Sequence, residues 1–147
     1  MMTLEADWDY LLKRLDYSDI KGNEKTNLES TRIYLGEHQP DFEEWERLKN
    51  LCPCKDPQAW VWRQTPGQMT RLHTDDYLYY RQLTGRYDDI LTRWWIPFSD
   101  RQPGQFLEIE GQLIDWKAGD LIELVGVHGT ATVGTTPRYC LLVTGVK

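Results

Sequence analysis

Apolar positions recur at helical spacing through the first third of the chain, and after Pro57 they fall into short runs broken by glycine and proline. Trp8, Leu11, Leu12 and Leu15 stand at i, i+3, i+4 and i+7. This spacing predicts an amphipathic helix from Thr3 to Leu15, with Thr3 as N-cap and one apolar stripe set against a core. Asp41 and Glu44, three apart and followed by Trp45, Leu48 and Leu51, predict a capping-box start to a second short helix that ends at Pro53. Between the helices, Tyr17 to Ser30 reads as loop and Arg32 to Leu35 as a short strand.

From residue 59 onward the runs predict eight strands, near 59–64, 68–74, 91–98, 104–109, 112–116, 120–125, 128–133 and 138–145. Turn signals separate them: Pro66-Gly67, Pro103-Gly104, Gly111, Ala118-Gly119-Asp120, Gly126, and Gly134 through Pro137. Many short strands with closely spaced turns predict a mainly β fold, a double-sheet jelly roll or double-stranded β-helix of cupin-like form. The expected division is a helical cover over residues 1–58, packed on one face, and a jelly-roll core over 59–147, together one domain of 147 residues. The segment from Tyr77 to Asp89, rich in tyrosine and arginine and without clear periodicity, is expected as a lid that governs substrate choice.

Composition narrows the partners. The formal net charge is -6, with 13 acids and 8 bases in residues 1–58, 5 and 6 in 59–101, and 5 and 3 in 102–147. An acidic chain without a Lys/Arg cluster is a poor binder of nucleic acid, whose phosphates supply most non-specific affinity. No apolar run approaches the ~20 residues of a membrane span, and the acidic N-terminus is unlike a secretory signal. A soluble cytoplasmic protein is expected. Of the three cysteines, Cys52 and Cys54 are too close for an ordinary structural bridge, so no disulfide framework is read and a reducing compartment fits. Without a second pair at ligand spacing, Cys52-Pro53-Cys54 reads as a loop after a helix, not a zinc half-site.

The candidate chemistry rests on few residues. His73 and Asp75, at alternate positions ending a predicted strand, project to one face and offer imidazole nitrogen and carboxylate oxygen together. His128 opens the seventh strand, and Arg138 follows ten positions later at the start of the eighth. Two histidines and one carboxylate are the donors of the facial triad of non-haem Fe(II), and an arginine on a neighbouring strand can clamp a carboxylate in two parallel hydrogen bonds.

In this order and strand context, His73-x-Asp75, His128 and Arg138 resemble the motif of the Fe(II)/2-oxoglutarate-dependent oxygenase superfamily. Within it the chain looks most like the aspartyl/asparaginyl hydroxylase-like branch and similar small phage-type oxygenases. That likeness is carried by Pro66-Gly67-Gln68, Arg93, Trp116 through Asp120 and the closing His128 to Arg138 hairpin, and it covers residues 60–147. It implies Fe(II) on His73, Asp75 and His128, 2-oxoglutarate with its distal carboxylate on Arg138, and Arg93 as a second anion contact. It further implies hydroxylation of a small-molecule or peptide substrate with O2, releasing succinate and CO2. Asp75 departs from the aspartyl hydroxylases of that branch, which lack the metal-binding carboxylate, and also from halogenases, which use a small residue there.

Trp62, Trp94 or Trp95, Tyr79 and Tyr80 are candidates for the pocket lining, although plain core packing suits each of them. Asp76 reads as a turn or solvated acid, Arg63 and Arg71 as solvated strand residues, and His38 carries no role. Two other readings stand beside the oxygenase: a cupin-like metalloenzyme that uses the same ligands without 2-oxoglutarate, and a non-catalytic jelly-roll binding or structural protein.

Overall fold

A computed structural model of the protein describes residues 2–17 and 30–147. The loop read from Tyr17 to Ser30 lies almost wholly outside the described residues. The helical spacing near the N-terminus folds as α1 (Trp8–Tyr17), which starts later than Thr3. Asp7 caps this helix, its Oδ1 accepting the Tyr10 amide hydrogen at 3.1 Å. Thr3 is drawn away to Asp120, 117 residues distant, through a lone β-bridge and a 2.8 Å hydrogen bond from its hydroxyl. The second helix, α2 (Phe42–Leu51), ends before Pro53 as expected. Asp41 precedes it in a left-handed conformation with no side-chain cap, because its carboxylate is turned toward Arg14 and the Tyr10 hydroxyl.

The β region forms two antiparallel sheets. One holds β1 (Thr31–Tyr34), β2 (Lys55–Gln64), β9 (Arg138–Val146), β4 (Leu91–Pro97) and β7 (Ile122–Glu123), in that order. The other runs β3 (Gln68–His73), β8 (His128–Thr132), β5 (Gln105–Ile109) and β6 (Gln112–Leu113). This is a mainly β jelly roll, the double-stranded β-helix of cupin-like proteins. The strands expected at 112–116 and 120–125 are shorter, because the chain turns between them. Asp120 Oδ2 accepts the Lys117 amide there at 2.9 Å. Between β3 and β4, the segment expected as a lid carries a helix, α3 (Leu78–Thr84), pinned by the buried Tyr80, whose hydroxyl donates to the Asp56 carbonyl at 2.7 Å. Arg81 gathers the carbonyls of Arg86, Tyr87 and Asp89, tying down the rest of that segment.

β9, buried along nearly its whole length, runs between β2 and β4 and serves two layers. Tyr139, Leu141 and Val143 join Val61, Ile96 and Phe98 beneath Trp8, Leu11 and Leu15 of α1 and Trp45 and Leu48 of α2. On the opposite face, Cys140 and Leu142 pack with Trp95, Leu107, Trp116, Ile122 and Leu124 between the sheets. The period of two along one central strand therefore separates a helix-covered layer from an inner layer that holds the pocket.

Candidate metal centre

The inner layer opens into a small pocket that is continuous with solvent, about 470 Å³ when the open space at its mouth is counted. Its lining includes His73, Asp75 and His128 together with Arg93 and Arg138, so all five residues singled out from the sequence meet in one place. They arrive by different routes. His73 and His128 are cross-strand partners at the ends of β3 and β8, their rings edge to face at 4.7 Å.

That pairing depends on a bulge. Thr70 pairs with Thr130, yet three residues later His73 pairs with His128, so β3 carries one extra residue across this interval. Strict alternation would turn Thr70 and His73 to opposite faces; the bulge brings both onto the pocket side. Gly129 faces the bulge, and a Cβ there would lie 2.7 Å from the Thr70 carbonyl oxygen. Glycine is needed at this position because the bulged backbone crowds it.

Asp75 lies beyond the end of β3 in the irregular connection to α3, not on the strand as the His-x-Asp spacing suggests. Its side chain is only 7% exposed and reaches back between the sheets. Arg93 of β4 holds it there, donating from Nη1 to Asp75 Oδ1 at 2.9 Å and from Nε to the Thr144 hydroxyl of β9 at 2.9 Å. The Arg93 guanidinium also lies over Tyr77, 5.2 Å from the ring centroid. Expected from the sequence as an anion contact, Arg93 thus spends two of its donors on the protein.

The histidine tautomers follow from their outer contacts. Nδ1 of His73 is 2.6 Å from the Arg71 carbonyl oxygen, and Nδ1 of His128 is 3.0 Å from that of Gly126. A carbonyl only accepts, so each Nδ1 carries a hydrogen and each Nε2 points inward, where the neutral ring offers a lone pair and the protonated ring an N–H. Those Nε2 atoms stand 3.4 Å from Asp75 Oδ1 and Oδ2 respectively. Asp75 Oδ2 is buried without a hydrogen-bond partner. Burial pushes the Asp75 pKa up, but the contact with His128 and the charge of Arg93, joined by those of His128 and His73 whenever the rings are protonated, outweigh it and hold the group below its ordinary value, as a carboxylate.

Three acceptor atoms thus converge, all within 4.8 Å of one another. Lone pairs facing a carboxylate repel unless protons or a metal cation lie among them, and 3.4 Å is near the spacing of neighbouring ligands on an ion with bonds of about 2.0–2.2 Å. The donor set fits a divalent metal, and the two outward Nδ1–H groups supply the carbonyl contacts that orient histidine ligands.

Deeper in the pocket, Arg138 is 3% exposed. Its Nη2 donates to Gln64 Oε1 at 3.1 Å and to the Thr130 hydroxyl at 3.4 Å, Nη1 is 3.5 Å from Cys140 Sγ, and the guanidinium lies 5.1 Å from the Trp95 ring centroid. Nε is buried without a partner, and among the described residues no carboxylate pairs with this cation. Gln64, fully buried and not singled out from the sequence, fixes Arg138 while also bonding Thr130 and Thr132. An amide at alternate spacing after Trp60 and Trp62 is the signal that marks it.

Other candidates are sorted by strand face. Trp62 and Trp95 line the pocket, whereas Trp94 packs with the layer under the helices. Tyr79 meets Trp60 edge to face, and Asp76 accepts the Leu78 amide at the start of α3. Cys52 and Cys54 are free thiols; burial, with a smaller push from Cys54, drives Cys52 up to about 12.

No protein-family model matches the chain, and no curated protein matches it. Solved structures do. A candidate sugar phosphate isomerase from Acidithiobacillus ferrooxidans shares 13% identity, with 96% of this chain and 73% of that one covered and a TM-score of 0.51. The TT1209 protein of Thermus thermophilus shares 12% identity over 99% of this chain and 98% of its own, with a TM-score of 0.50. A predicted oxalate decarboxylase from Thermotoga maritima aligns over 80% of this chain and 81% of its own at 12% identity, with a TM-score of 0.49. At such identities the first two likenesses concern the fold alone: the chain is a jelly roll of the cupin-like kind with a potential His-Asp-His metal site.

Proposed function

We propose that the protein is a non-haem Fe(II)- and 2-oxoglutarate-dependent dioxygenase that hydroxylates a small molecule or a peptide side chain. The observation that carries this reading is Arg138, a buried guanidinium without a carboxylate partner among the described residues, in the pocket that also holds His73, Asp75 and His128. A buried, unpaired cation costs several kcal/mol. A ligand carboxylate removes that cost, and a fork-shaped donor set favours a planar anion.

In this reading His73, Asp75 and His128 hold Fe(II), and Arg138 binds the distal carboxylate of 2-oxoglutarate. When bound, the metal lets O2 oxidise 2-oxoglutarate to succinate and CO2 while one oxygen atom enters a substrate C–H bond as hydroxyl. The chain's own part is placement and shielding. The Arg71 and Gly126 carbonyls fix the imidazoles, and Arg93 fixes Asp75. Trp95, Leu124 and Leu142 give the pocket an apolar wall that limits water.

Anaerobic titration with Fe(II) and 2-oxoglutarate, then exposure to O2 and a succinate assay, tests the reading. Succinate should form slowly without any prime substrate. Arg138→Ala should raise the 2-oxoglutarate requirement by about tenfold or more, with Arg138→Lys intermediate. Metal binding without 2-oxoglutarate binding or succinate would replace this reading with a cupin-like metalloenzyme in which Arg138 holds the substrate's own carboxylate.

A further inference from the structure

Beside the pocket stands a cation that the metal centre does not use. Arg32 lies on the edge strand β1, where its cross-strand partner is Trp62, and Trp62 lines the pocket. Cross-strand partners share a sheet face, so Arg32 lies on the pocket side. Its guanidinium carbon is 4.9 Å from the Trp62 ring centroid, 4.8 Å from that of Tyr79 and 5.9 Å from that of Trp60. Among the described residues it makes neither a hydrogen bond nor an ion pair with an acid. Aromatic faces hold the flat of a guanidinium and leave its N–H edge free, the edge that recognises carboxylate or phosphate. Two residues earlier on the same side, Ser30 also lines the pocket, 4% exposed, with its hydroxyl buried and unpartnered.

Charge points the same way. Although the chain carries a net charge of -6, Arg93 and Arg138 line this pocket with a single carboxylate, Asp75, and Arg32 adds a third cation against Trp62 of its wall. A divalent metal and the dianion 2-oxoglutarate would cancel each other, leaving a cationic surplus. A pocket of one sign within a surface of the other concentrates ligands of opposite charge.

We propose that Arg32, held among the rings of Trp62, Tyr79 and Trp60, binds an anionic group, carboxylate or phosphate, of the prime substrate beside the pocket, with the Ser30 hydroxyl donating to the same substrate. This assignment of substrate class rests on the dioxygenase reading. Arg138 takes the cosubstrate in the interior, and Arg32 takes the prime substrate at the rim.

The test uses protein saturated with Mn(II), a redox-silent stand-in, and 2-oxoglutarate under nitrogen. Phenylacetate, phenyl phosphate and neutral phenylacetamide are titrated by calorimetry into wild type, Arg32→Gln and Arg32→Lys. Wild type should favour at least one anion over the amide by about tenfold or more, and the preferred anion identifies the group. Arg32→Gln should abolish the preference while 2-oxoglutarate affinity stays within about twofold, and Arg32→Lys should recover part of it. An unchanged preference in Arg32→Gln, or wild type binding all three alike or none, overturns the proposal. Separate 2-oxoglutarate titration of the Mn(II) protein distinguishes the two claims. Lost cosubstrate binding with an Arg32-dependent anion preference defeats the dioxygenase and leaves the anion site standing. Normal cosubstrate binding without that preference does the reverse.

Discussion

Arg93 shows how one side chain can shape a candidate metal site without being one of its ligands. It joins Asp75, which no strand holds, to Thr144 on β9, the most deeply built-in strand of the larger sheet. Removing such a supporting contact typically weakens metal binding by about 10–100-fold. Arg93→Ala should therefore lower Mn(II) affinity by that factor in calorimetry, whereas Asp75→Ala should lose the site. The cysteines yield a separate expectation. With Cys52 pushed up to about 12 and Cys54 also raised by burial, both stay as thiols at neutral pH and are poor nucleophiles. Alkylation of native protein should be slow and should accelerate on unfolding; rapid native labelling of Cys52 would contradict the packing around it. At this scale the chain is legible where chemistry is rare. Its three histidines include two that stand near an acid or a downstream arginine, so His73, Asp75, His128 and Arg138 are visible as a pattern. Gln64, Ser30 and Arg32 are not, because a polar residue on a strand reveals its face only once the register is known.

Between residues and the whole fold stands the β3–β8 pair, whose bulge sets His73 opposite His128. Gly129→Ala would press a methyl against the Thr70 carbonyl, and overpacking of this kind costs about 1–3 kcal/mol. The strands should respond by parting near His73, so the variant should lose Mn(II) affinity as well as stability. Gly36→Ala, where a Cβ meets nothing within 4 Å, is the control and should change neither. Equal metal affinity in Gly129→Ala and wild type would show that the bulge does not set the site. The bulge also marks where period-two reasoning ends. Alternation explains β9 and the Gln58 to Gln64 stretch of β2 well, but it places Asp75 on a strand that has already finished and gives no hint of the extra residue in β3. The start of α1 escapes for a related reason: Thr3 is a sound local N-cap, yet a partner at Asp120 outbids the helix.

Across the whole molecule, stability and chemistry are divided between the faces of one sheet. Leu48 of α2 is fully buried against the outer face, remote from the inner layer. Leu48→Ala should cost about 2–5 kcal/mol, read as a lower melting temperature, while leaving Mn(II) affinity of the folded protein unchanged. A parallel fall in both would mean that the helical layer also shapes the pocket. The overall architecture is readable from turn spacing and run length, since two sheets are the economical way to bury many short strands. The shortness of β6 and β7 is less accessible, because isolated pairings such as Ile114 N to Leu107 O continue past the strand ends.

The alternation along β9 has one last consequence. Its odd-numbered tyrosine, leucine and valine lie beneath the helices, and its even-numbered arginine, cysteine and leucine belong to the inner layer. A slip of a single position would exchange the two sets, driving a guanidinium into an oily layer and a phenol toward the His73, Asp75 and His128 cluster. The strand therefore works as a ratchet with one permitted notch. Insertions or deletions within it should be far less tolerable than swaps of like for like, even at positions distant from any ligand.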